Sequence, residues 1–135
     1  MFERDLRKYF ENKIDATELK SVIDKMLKDE EFDSRDDSFG TEMELNAQHL
    51  VKVCDDILTG KMPPDYAAHI GAELTTSDQF IFEDSASGGR AEDVAFDWDS
   101  YDVTYLFNLE TIQKFKTRLL TGKDLFVDSD LADNE

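Results

Sequence analysis

QFIFEDSASGGRAEDVAFDWDSYDVTYLF, residues 79–107, is the stretch whose reading decides the fold. From Gln79 the apolar period is two, with Phe80 and Phe82 on one side and Ile81 on the other, which predicts a strand. Asp84 to Arg90, Asp-Ser-Ala-Ser-Gly-Gly-Arg, supplies turn residues and predicts a hairpin. In the next strand Val94, Phe96 and Trp98 share one face, and Asp93, Ala95, Asp97 and Asp99 share the other, because side chains alternate across a strand. A third strand is expected from Val103 to Phe107.

Around this stretch the period is helical. Phe2, Leu6, Phe10 and Ile14 make one stripe; after Asp15, with Glu18 three residues on as in a capping box, Leu19, Val22, Ile23, Met26 and Leu27 make a second. The two form a helical hairpin. Glu30 to Gly40 has no period and reads as a connecting loop. A third helix is expected from Thr41, with Glu44 completing a box-like pair, Ala47, Leu50, Val51, Cys54, Ile57 and Leu58 on its apolar face, and Gly60 as its stop. Pro63 and Pro64 fit the first turn of a fourth, with Tyr66, Ala67, Ile70 and Leu74 inward. Asn108 N-caps a final helix that buries Leu109, Ile112, Phe115, Leu119 and Leu120 and ends at Gly122. The expected fold is α+β: about five helices with a three-stranded antiparallel β-meander in the C-terminal half, one domain over residues 1–123, and a flexible acidic tail over 124–135.

The 135 residues carry 32 Asp or Glu against 15 Lys or Arg, a formal charge of −17. That balance argues against a nucleic-acid backbone or an anionic membrane as partner, since both need clustered Lys or Arg. No apolar run approaches the roughly 20 residues that span a bilayer, and the N-terminus has no apolar signal-peptide core, so a cytoplasmic location is expected. Cys54, the single cysteine, can form neither an internal disulfide nor a zinc site alone. The acidity is concentrated: residues 29–44 carry −7, 83–102 carry −6 and 124–135 carry −5, while 1–28 and 103–123 are mildly basic.

Catalytic patterns are weak throughout, and an enzyme is not expected. His49 and Cys54 lie five apart on a helix, outside the three-or-four spacing that brings side chains together, and His69 has no nearby nucleophile or second histidine at ligand spacing. Gly88-Gly89 is followed by Arg-Ala-Glu-Asp, whose carboxylates would repel phosphate. A calcium loop starting at Asp97 puts Asp102 at the glycine position and Asn108 at the bidentate Glu, and one starting at Asp33 puts Ser38 at the glycine. Neither metal nor cofactor is expected. Acid/base work by paired carboxylates needs burial, and these carboxylates lie among charges and turns.

A sheet face mixing carboxylates with small apolar patches, left uncovered by the helices, suits a cationic protein partner: charge steers association and apolar atoms supply burial. The candidate partner-binding residues are Glu83, Asp84, Glu92, Asp93, Asp97, Asp99 and Asp102, with Tyr101 as an aromatic anchor. Leu50-Val51-Lys52-Val53-Cys54-Asp55-Asp56-Ile57-Leu58-Thr59-Gly60, Pro63-Pro64, Ile70-Gly71, Leu74, Ser77-Asp78-Gln79-Phe80 and Phe96-Asp97-Trp98, spread over residues 45–121, resemble small bacterial immunity proteins of contact-dependent growth inhibition and related polymorphic toxin systems. The resemblance implies a non-enzymatic cytosolic protein that neutralises one cognate toxin domain, often a nuclease, by tight binding. It transfers no functional residue. The competing expectation is an acidic nucleic-acid mimic or regulatory adaptor that engages several basic proteins. Oligomeric state is left open by the sequence.

Overall fold

Ser85, not a hairpin, follows the strand at Phe80. In the computed structural model, which describes residues 2–28, 42–99 and 105–131, its backbone is extended (φ −161°, ψ 169°) and its Oγ accepts the Gly88 N–H at 3.0 Å. This is an N-cap, and it starts a helix over Ala86–Trp98. The architecture corrects the expected one: the described residues form six α-helices and two short parallel strands, not a three-stranded antiparallel meander.

The elements run α1 (Phe2–Phe10), α2 (Ala16–Lys28), β1 (Met43–Leu45), α3 (Ala47–Leu58), α4 (Tyr66–Thr76), β2 (Phe80–Phe82), α5 (Ala86–Trp98) and α6 (Leu109–Thr121). β1 and β2 pair in parallel, Met43 opposite Phe80 and Leu45 opposite Phe82. Parallel strands need a crossover, and α3 with α4 provides it. Tyr105, expected in a third strand, makes a single antiparallel bridge to Leu131; Val103 and Thr104 lie outside the described residues.

The helical stripes of the N-terminal half fold in large part as their periods suggest, but α1 stops at Phe10, short of Ile14, and Leu27 is half exposed. α1 and α2 form the hairpin, burying Leu6, Tyr9 and Phe10 from one and Leu19 and Ile23 from the other. Asn12 takes a left-handed conformation (φ 62°) in the turn, and Asp15 caps α2 by accepting the Glu18 N–H at 2.9 Å. α3 starts later than the Thr41/Glu44 pair suggested, because Glu44 belongs to β1. Its cap is Asn46, whose side chain accepts the Gln48 N–H at 2.9 Å and whose own N–H donates to His49 Nδ1 at 3.0 Å. Pro63 and Pro64 sit just before α4, their carbonyls accepting the N–H groups of Tyr66 and Ala67.

One core joins these elements, with Trp98, Phe115, Leu50, Ile57, Ile70 and Leu74 fully enclosed. α4 meets α5 closely at Gly71, where an added Cβ would lie 2.5 Å from Trp98 Cβ and 2.9 Å from the Ala95 carbonyl oxygen. α6 packs on α3 and α5. The stretch expected as a flexible tail is described as far as Leu131, and there Phe126 packs its ring, tilted, against Phe115 of α6, and Asp130 is 5% exposed.

Candidate partner-binding surface

A helix over Ala86–Trp98 redistributes every carboxylate that a strand would have lined up. Ala91, Val94, Ala95 and Trp98, at helical spacing, face the core, while Glu92, Asp93 and Phe96 face out. Phe96, expected beside Trp98 in the core, is 37% exposed. The exposed surface of α5 therefore carries an aromatic ring flanked by two carboxylates on the preceding turn. Asp84, just before the cap, is also exposed.

The other expected site residues are occupied within the fold. Glu83 Oε2 accepts from Asn46 Nδ2 at 2.8 Å, and the Glu83 N–H donates to the Leu45 carbonyl at 2.9 Å, extending the strand pairing. Asp97 is half-buried and pairs with Arg118 of α6. Burial opposes the charge of that guanidinium, and the Asp97 carboxylate more than offsets it, holding the Arg118 pKa above its ordinary value. Asp99 Oδ2 accepts from Thr75 Oγ1 of α4 at 3.1 Å. Tyr101 and Asp102 lie outside the described residues. The single sheet face proposed from alternation is thus divided: Asp84, Glu92 and Asp93 remain outward, and Glu83, Asp97 and Asp99 hold elements together.

Charge pairing sharpens the division. Lys20 pairs with Asp24 at 2.8 Å, Lys116 with Asp55 at 2.6 Å and Lys114 with Asp130 at 2.6 Å, so bases of α2 and α6 are engaged internally. Asp84, Glu92 and Asp93 pair with no basic group among the described residues. The charge of Glu92 and Asp93 is presented to solvent on a helix whose opposite face is fixed by the core, and Asp84 lies just before its cap.

A second polar feature lies at the end of α1, a cleft of about 430 Å³ bordered by Asn12, Asp15, Lys52, Asp56 and Lys61. Its inner groups have structural duties. Lys52 Nζ donates to the Tyr9 carbonyl at 2.7 Å and to Asn12 Oδ1, satisfying an oxygen at the C-terminus of α1, and stands 4.4 Å from the centre of the Tyr9 ring. The buried Tyr9 hydroxyl donates to Asp56, and burial with that carboxylate pushes its pKa well up.

The nucleophile and ligand candidates are placed as follows. Cys54 is fully buried on the apolar face of α3, where burial pushes its thiol pKa up and away from reactivity. His49 is half-buried, its ring edge-on to Phe10 at 5.3 Å, and His69 is edge-on to Tyr66 at 5.9 Å. The described residues bring together no group of three or more His, Cys, Asp and Glu able to hold a metal ion. Among them no helix is long and apolar enough to cross a membrane. Compared with models of protein families, with curated proteins and with solved structures, the chain matches none.

Proposed function

We propose that this chain is a binding protein that neutralises a cationic protein, and that it is an immunity protein for one cognate toxin domain, a basic nuclease, in the cytosol. The observation that carries the reading is the outward surface of α5, where Glu92 and Asp93 flank the exposed ring of Phe96. Two carboxylates without an ion-pair partner among the described residues steer a cation-rich surface, and the exposed part of the Phe96 ring adds apolar area beside them. The excess of acid over base, −17 in 135 residues, extends the same field around the molecule. The quoted resemblance of residues 45–121 to immunity proteins supplies the toxin class.

The test is affinity capture with the immobilised chain from a lysate of its source organism, washed at low and then high salt. One basic protein retained through high salt, whose enzymatic activity falls on adding the chain, supports the reading. Many basic proteins lost together at high salt favour the mimic or adaptor instead, because screening removes a purely electrostatic association.

A further inference from the structure

The starts of α3 and α5 are joined side by side. Asn46, the cap of α3, donates from Nδ2 to Glu83 Oε2 at 2.8 Å, and the Ala47 N–H donates to Ser87 Oγ of α5 at 2.9 Å. Glu83 in turn holds the cap of α5. Its carbonyl accepts the Ser85 N–H at 2.9 Å, its Oε1 accepts from Ser85 Oγ at 3.4 Å, and Ser85 Oγ accepts the Gly88 N–H at 3.0 Å. No slack is left there, since a Cβ on Gly88 would meet the Glu83 carbonyl. A change in the partner of Glu83 is thus a change at the first turn of α5.

His49 stands at the third helical position of α3, where a glutamate or glutamine usually closes a capping box. Its Nδ1 accepts the Asn46 N–H at 3.0 Å, a bond that places the ring proton on Nε2. An imidazolium donates from both nitrogens and accepts at neither, so protonation sets two N–H groups against each other and ends this bond. Two charged groups among the described residues act on the ring: Lys52, one turn on, opposes its charge, and Glu83, just after β2, favours it. Phe10 of α1 lies edge-on to it at 5.3 Å. Burial is the largest influence and holds the His49 pKa below its ordinary value of about 6.5. We propose that His49 is an acid-sensitive latch between the caps of α3 and α5: on protonation it releases the Asn46 N–H, Glu83 exchanges Asn46 for the imidazolium, and the Ser85 cap of α5 loosens with it. The coupling belongs to the chain alone. On the binding reading proposed above, it makes the carboxylate-bearing surface of α5 less ordered in mild acid.

The test is an NMR titration of the isotope-labelled full chain between pH 7 and 5, following the His49 ring nitrogens and the amides of Asn46 and Gly88. At pH 7 the ring is expected as the Nε2–H tautomer. The Asn46 and Gly88 resonances should then move with the ring's own midpoint, below about 6.5. Protection of the Asn46 amide from exchange, corrected for the intrinsic pH dependence, should fall at least tenfold over the same range. In His49→Gln both movements should vanish; in Glu83→Gln the Asn46 amide should still follow the ring and the Gly88 amide should not. A wild-type Gly88 amide that ignores the His49 midpoint would overturn the proposal, as would one that moves equally in His49→Gln. So would a ring protonated on Nδ1 at pH 7. Because no partner enters the titration, its failure leaves the binding reading standing, and failure of partner capture leaves the latch standing.

Discussion

At the level of single residues, three glycines separate the helical account of residues 86–98 from a hairpin. Gly71 lets α4 approach the Trp98 Cβ and the Ala95 carbonyl, so Gly71→Ala forces a backbone shift. Overpacking of this kind costs about 1–3 kcal/mol, more than the roughly 1 kcal/mol that alanine gains over glycine in a helix. Gly88 is tighter still, since an added Cβ would fall 1.9 Å from the Glu83 carbonyl oxygen. Gly89 has open space around it inside α5, so Gly89→Ala should stabilise by about 0.5–1 kcal/mol. Urea unfolding of the variants reads all three signs, and a destabilising Gly89→Ala would speak against the helix. His49 couples its protonation to the start of α3. Its Nδ1 accepts the Asn46 N–H, and burial pushes its pKa down, while nearby Glu83 pulls the other way and Lys52 and the Phe10 ring also face it. With the folded pKa below the unfolded value of about 6.5, its contribution is fully present above that value and is lost as pH falls through the folded pKa. His49→Gln keeps an N3 acceptor for the cap and cannot be protonated. Its stability should change less between pH 7 and 5 than the wild type's, as chemical denaturation at the two pH values would show; equal losses would place the acid sensitivity elsewhere.

Among the elements, α5 explains what the sequence concealed. Its outward carboxylates and its structural ones differ only by their position on the helix, so two substitutions of equal charge should behave differently. Asp97→Ala leaves Arg118 half-buried without its partner and should cost about 1–3 kcal/mol. Glu92→Ala, at an exposed position without an ion-pair partner among the described residues, should stay within about 0.5 kcal/mol. Thermal melts of the two variants check the contrast, and equal losses would deny Asp97 its structural role. The helical hairpin, the apolar faces of α3 and α4, and the Asn108 cap with the Gly122 stop were legible from apolar spacing and the α6 cap residues, whereas the Asn46 start of α3 was not, and Leu109 and Leu120, expected inward on α6, are exposed. Residues 86–98 were not legible. Val94, Phe96 and Trp98 alternate like a strand, while Ala91, Val94, Ala95 and Trp98 repeat like a helix, and two small alanines make the second pattern faint against the large rings of the first. Gly88 and Gly89 strengthened the turn reading, whereas Gly88 is required by the close approach of Glu83. The acidic composition of the site was legible, but the division between outward and structural carboxylates was not, since it depends on where α6 and α4 place Arg118 and Thr75.

For the molecule as a whole, Lys20 of α2 and Lys114, Lys116 and Arg118 of α6 serve internal ion pairs, and part of the acid excess is left on the outer surface of α5. A surface so arranged acts first on the rate of encounter with a cationic protein: steering accelerates association by roughly 10- to 1,000-fold and fades as salt screens it. The most direct test is the association rate of the captured partner with the wild type and with the Glu92→Lys, Asp93→Lys double variant, across a range of salt. The account predicts association at least tenfold slower for the variant at low salt, a gap that narrows at high salt, and an unchanged melting temperature. Equal rates and affinities for the two proteins at every salt concentration would contradict it and remove α5 from the interface.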